Sequence, residues 1–155
     1  MHLIAALDLA MEIEDLLSRC YSRLSEKSAE SDLREEFVRL AEDERNHLNL
    51  IKIGKNYVFE APEAFGEDVG FYAELKEGLG QVKDLLNDLD DPNAALEEGL
   101  ERMYTLEMRL ECVHFDSLAE IKDPQLNSLF KALGEGDKAH RERLKALKMG
   151  MGKGR

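Results

Sequence analysis

The chain has no tryptophan, only two cysteines and only three prolines among 155 residues. The cysteines, Cys20 and Cys112, are too few for a disulfide framework and form no C-x-x-C pair. They read as two buried, reduced thiols of an intracellular protein rather than as a redox pair. No apolar run approaches the ~20 residues that a membrane span requires. The opening MHLIAALDLAMEIEDLL has no basic region and meets acids at Asp8 and Glu12, so no secretory leader is expected. The expected location is cytoplasmic. Basic residues are also in deficit, with a formal net charge of −12. That weighs against nucleic-acid binding, which needs a basic face to displace phosphate counterions. The surplus acid serves solubility, and it also favours the approach of cations.

What remains is rich in Leu, Ala, Glu and Lys, a composition that favours helices. The length suits one domain, expected over 1–148, with 149–155 as a flexible tail. Four long segments carry helical periodicity, at about 2–28, 32–53, 92–121 and 124–148. Ser31 or Asp32 is the expected cap of the second. Asp91-Pro92 and Asp123-Pro124 are the expected openings of the third and fourth, with aspartate capping and proline in the first helical position. Residues 56–70 read as irregular, with Pro62, Gly66 and Gly70 as punctuation, and 72–89 as an extra helix weakened by Gly78 and Gly80. The fold expected is an all-α, four-helix bundle. Two antiparallel hairpins are joined by a crossover long enough to travel the length of a bundle.

Each apolar stripe contains an acid where a core residue belongs: Glu14, Glu44, Glu107 and Asp137. Two are followed three residues later by histidine, as Glu44–His47 and Asp137–His140. Glu14 and Glu107 are 93 residues apart, as are Glu44 and Asp137, and His47 and His140. Tyr21 and His114, Phe37 and Phe130, and Leu40 and Leu133 obey the same offset of 93. The chain is two copies of one helical hairpin.

A charged carboxylate in a dry core is costly unless it is protonated or partnered. Four meeting in one core would repel strongly, and two divalent cations would cancel their charge. Positions i and i+3 share a helix face, so each acid–histidine pair can serve one metal. Glu14 and Glu107 can then bridge the two metals, as in dinuclear carboxylate bundles. The competing reading is a metal-free bundle with these acids on its surface. The stretch GEGDKAHRERL, residues 134–144, fits the first reading. Gly134 and Gly136 each cost ~1 kcal/mol against alanine inside a helix. Such weakness is tolerable if the segment's task is to present Asp137 and His140.

At these residues the chain resembles the ferritin-like superfamily and, within it, the rubrerythrin group. AMEIEDLLSRCYSRLSE, FVRLAEDERNHLNLI, LEMRLECVHFDSLAE and LFKALGEGDKAHRERL are similar to that group's four helices in order. The resemblance implies a dinuclear iron centre that reacts with hydrogen peroxide or dioxygen in oxidative-stress defence, and a homodimer. It implies a supporting role beside the metal for Tyr21. His114 stands where the second copy would repeat that tyrosine. It is a supporting donor, an additional ligand or a satisfied core histidine. The group's rubredoxin domain, held by two C-x-x-C pairs, has no counterpart here, so an external electron donor is expected. The group's extra third-helix glutamate falls at Leu110, with Glu111 beside it as an alternative ligand. Where the group has a fourth-helix glutamate, this chain has Asp137.

Three functions remain in view. The first is an enzyme that reduces peroxide or dioxygen with two iron ions, or a manganese catalase-like variant. The second is an iron-binding, storage or sensing protein with little turnover. The third is a structural bundle.

Overall fold

The computed structural model describes residues 2–61 and 70–153. Among them are five helices and no strand: α1 (His2–Lys27), α2 (Ser31–Glu60), α3 (Tyr72–Leu89), α4 (Leu96–Ser117) and α5 (Pro124–Lys153). No described helix is long and apolar enough to cross a membrane.

Side-chain pairs fix the directions of the helices. Ser25 Oγ donates to the Arg34 carbonyl (3.2 Å), Ser18 Oγ donates to the Ala41 carbonyl (3.0 Å), and Lys55 Nζ reaches Asp8 (2.5 Å). α1 and α2 are therefore an antiparallel hairpin. His114 with Asp137, Arg141 with Glu111 and Lys148 with Glu101 define the same arrangement for α4 and α5. The hairpins meet where α5 runs antiparallel to α2, with His140 against Glu44 and Arg143 against Glu36. α3 runs parallel to α1 (Lys83–Glu12, Arg23–Asp90) and antiparallel to α4 (Arg109–Glu77, Arg102–Asp88). The chain thus returns along the bundle as α3, and most of the long connection is helix.

The helix ends depart from expectation in ways the local chemistry explains. α2 runs to Glu60, because nothing in Asn56–Glu60 (NYVFE) interrupts a helix. The rest of the expected irregular stretch, 62–69, lies outside the described residues. α2 begins at Ser31, so neither Ser31 nor Asp32 caps it; Glu30 holds that place and makes no side-chain cap bond. Asp123 does cap α5: its Oδ2 accepts from the Gln125 and Leu126 amides at 3.1 and 3.0 Å, with Pro124 first in the helix. Asp91 instead accepts from the Asn93 amide (2.9 Å), and its carbonyl accepts from the Ala94 amide (3.0 Å). This local turn outcompetes helix initiation, so α4 starts later, at Leu96. α5 continues to Lys153, beyond the expected 148.

The apolar stripes close into one core. Leu7, Leu17 and Leu24 of α1 are fully buried, as are Phe37 and Leu40 of α2, Leu110 of α4, and Phe130, Leu133 and Leu144 of α5. Burying each such side chain contributes ~1.5–3 kcal/mol. That stabilisation offsets the polar groups held in the middle of the bundle.

Candidate metal centre

All six residues of the repeat point into the bundle interior. Glu14, Glu44, Glu107 and Asp137 are each 0% exposed, and His140 is 2% exposed. The His47 side chain keeps 14% exposure. Two groups form. In the first, His47 Nδ1 lies 3.3 Å from Glu44 Oε2 and 3.7 Å from Glu14 Oε2. In the second, His140 Nδ1 lies 2.8 Å from Glu44 Oε1 and 3.3 Å from Glu107 Oε1. Within each group one ligand atom per residue falls within 4.8 Å of the others. Donors ~2.1 Å from one ion are at most ~4.2 Å apart, and the imidazole–carboxylate distances of 2.8–3.7 Å fall inside that limit. The two imidazoles stack with centroids 5.4 Å apart.

Glu44 belongs to both groups, one oxygen facing each imidazole. Among the described residues Glu44 is the one common to both groups, while Glu14 and Glu107, the expected bridges, each fall in one. Asp137 is in neither group. Its Oδ2 lies 2.5 Å from His114 Nδ1. Glu111 is also in neither, because Arg141 Nε donates to it at 2.7 Å. Leu110 is fully buried. Cys20 is buried, and burial pushes its thiol up to about 12, which makes it a poor ligand. Cys112 is exposed, contrary to expectation, because it falls off the core stripe of α4.

The interior is electrostatically unfinished. Among the described residues, both oxygens of Glu14, both of Glu44, Glu107 Oε2, Asp137 Oδ1 and His47 Nδ1 have no hydrogen-bond partner. Buried groups of this kind are normally satisfied. Without metal, protons take up the imbalance. Burial, and then Glu44, push Glu14 up to about 8. Burial pulls both imidazoles down, but Glu14 and Glu44 raise His47 to about 11, while Glu44 and Glu107 raise His140 to about 12. Burial, and then Glu107, raise Asp137 well above the carboxylate range, and burial lowers His114. Burial thus disfavours the charged form of both members of the Asp137–His114 pair. The donor set of carboxylates and imidazoles around unpaired oxygens fits hard or borderline divalent ions.

Several supports surround these groups. Tyr21 Oη donates to Glu107 Oε1 at 2.5 Å. His140 Nε2 lies 3.4 Å from Asp43 Oδ2, and Asp43 is held by Arg143 at 2.8 Å. The resemblance implies a supporting role for Tyr21 but none for Asp43 or Arg143. Asp43 precedes Glu44 in the chain but lies off the apolar stripe. Its only signal was the absence of an acid at the repeated position, Gly136.

Comparison of the chain with protein-family models, with curated proteins and with solved structures found no match.

Proposed function

We propose that this interior binds two divalent metal ions. On this reading the protein is a ferritin-like, rubrerythrin-like dinuclear non-haem iron protein that reacts with hydrogen peroxide or dioxygen. The observation that carries the reading is the pair of acid–imidazole groups sharing Glu44, whose buried oxygens face imidazoles but make no hydrogen bond among the described residues. Glu14, Glu44 and His47 would hold one ion; Glu44, Glu107 and His140 would hold the other. Asp137, with its unpartnered Oδ1, supplies the fourth carboxylate of the charge balance. Bound iron would supply the two electrons that convert hydrogen peroxide and two protons into two waters, and an external donor would restore them. The chain's own part is to exclude bulk water, hold the carboxylates, and carry protons on Glu14 and the imidazoles when metal is absent. Carboxylate-rich donors also accept manganese.

A second reading, metal binding or sensing with little turnover, is favoured by one feature. The third-helix position that would offer an exchangeable carboxylate is the buried Leu110, and the neighbouring Glu111 is committed to Arg141.

Elemental analysis of protein purified without chelator is expected to give about two metals per chain. Anaerobic Fe(II)-loaded protein is expected to oxidise faster than free Fe(II) on adding peroxide. Metal-free preparations that also fail to take up Fe(II) would sink both readings. Stoichiometric uptake with a single turnover would select the second.

A further inference from the structure

The 93-residue repeat makes the two halves of the site comparable ligand by ligand, and they are not supported alike. On the Glu107–His140 side both unshared ligands are braced. Tyr21 donates to Glu107 at 2.5 Å, and Asp43, itself held by Arg143, faces His140 Nε2 at 3.4 Å. On the Glu14–His47 side neither brace is found among the described residues. The repeat of Tyr21 is His114, which binds Asp137 instead, and no hydrogen bond reaches either oxygen of Glu14 among the described residues. The repeat of Asp43 is Gly136, which has no side chain to offer His47. Exposure agrees, because the His47 side chain is 14% exposed and that of His140 is 3% exposed.

Resting on the dinuclear reading, we infer that the two metal positions are unequal. The Glu44–Glu107–His140 position fills first and holds its ion, and the Glu14–Glu44–His47 position fills last and exchanges it. Groups that orient metal ligands alter affinity by ~10–100-fold, which sets the expected gap. Asp43 and Tyr21 act as positioning residues, through His140 and Glu107.

The test is stepwise Co(II) addition to metal-free protein, followed by visible absorption and by nuclear magnetic resonance of labelled histidines. At one equivalent, the His140 ring signals should shift or broaden while those of His47 persist. His140→Gln should weaken the first binding step at least tenfold, and His47→Gln should leave it within threefold. Asp43→Asn changes a half-exposed residue without changing its shape. It should move single-equivalent occupancy towards His47, which a merely structural role would not do. The inference is overturned if His47 responds first, if both rings respond together, or if the two glutamine variants weaken the first step equally. Absence of any Co(II) binding would overturn the dinuclear reading itself, so the two failures are distinguishable.

Discussion

Gly136 lies so close to the imidazole of His47 that an ideal Cβ there would stand 2.6 Å from Nε2. The glycine is a clearance, more than three turns into α5 (Pro124–Lys153), in a segment whose propensity argues against it. Gly134, one position before Glu135, backs onto the Phe115 ring in the same way, at 3.1 Å from a built Cβ. Gly136→Ala should therefore displace His47 and lower metal content from about two ions per chain to about one. Gly80 supplies the control, since no atom of a described residue outside its own helical turn lies within 4 Å of a Cβ built there. Gly80→Ala should raise stability by up to ~1 kcal/mol, and Gly136→Ala should not show that gain. Denaturant midpoints and metal analysis of the two variants, side by side, decide it. Equal stabilisation with full loading would mean that the clearance has no role.

The sequence made the plan of this molecule legible and left its pairings hidden, for physical reasons. Periodicity marks which face of a helix is buried, so the stripes holding Glu14, Glu44, Glu107 and Asp137 could be read in advance. Which oxygen meets which nitrogen depends on rotamers and on the relative rotation of helices. That is why Glu44 is shared between the groups and Asp137 is held by His114. The same limit applies to turns. Asp91-Pro92 and Asp123-Pro124 look alike, but Asp123 caps a helix while Asp91 closes a turn on Asn93. The offset of 93 carried more information than either copy alone. It also exposes Gly136 as the place where the second copy drops an acid.

The metal-free protein should lose stability as pH rises from about 5 to 8. Glu14 moves from an ordinary 4.5 to about 8 in the fold, chiefly through burial. A carboxyl whose folded value is raised contributes stability that is complete below the unfolded value and is lost as pH climbs through the folded one. The imidazoles of His47 and His140, raised to about 11 and about 12, act in the same direction at higher pH. Thermal unfolding of chelator-treated protein should give a falling midpoint across that window, and added divalent metal should flatten the profile. A midpoint that rises between pH 5 and 8 would contradict the proton inventory of the site.

Because Glu44 serves both groups, its replacement should be the most damaging single change to metal binding. Glu44→Gln is expected to abolish tight binding of both ions, and Glu14→Gln to remove one. The metal-free stabilities should move the other way. A neutral amide at position 14 no longer has to be protonated in the folded state. The Glu14→Gln unfolding midpoint at pH 8 should therefore lie above that of the parent. Binding isotherms paired with melting curves test both halves. If Glu14→Gln costs as many ions as Glu44→Gln, the sharing is wrong.

Tyr21 is fully buried, and its hydroxyl makes a 2.5 Å bond to a carboxylate that already faces His140. Tyr21→Phe keeps the ring and removes one oxygen, so packing should survive. What is lost is a hydrogen bond to an ionisable group in a dry interior, worth ~1.5–3 kcal/mol. The denaturation midpoint should fall accordingly with an unchanged denaturant slope, since the surface exposed on unfolding is the same. Metal loading of the metal-free variant should narrow the gap between the two positions rather than empty the site, because Glu107 keeps its carboxylate. An unfolding free energy within ~0.5 kcal/mol of the parent, with unaltered Co(II) binding, would show that the Tyr21–Glu107 bond orients nothing.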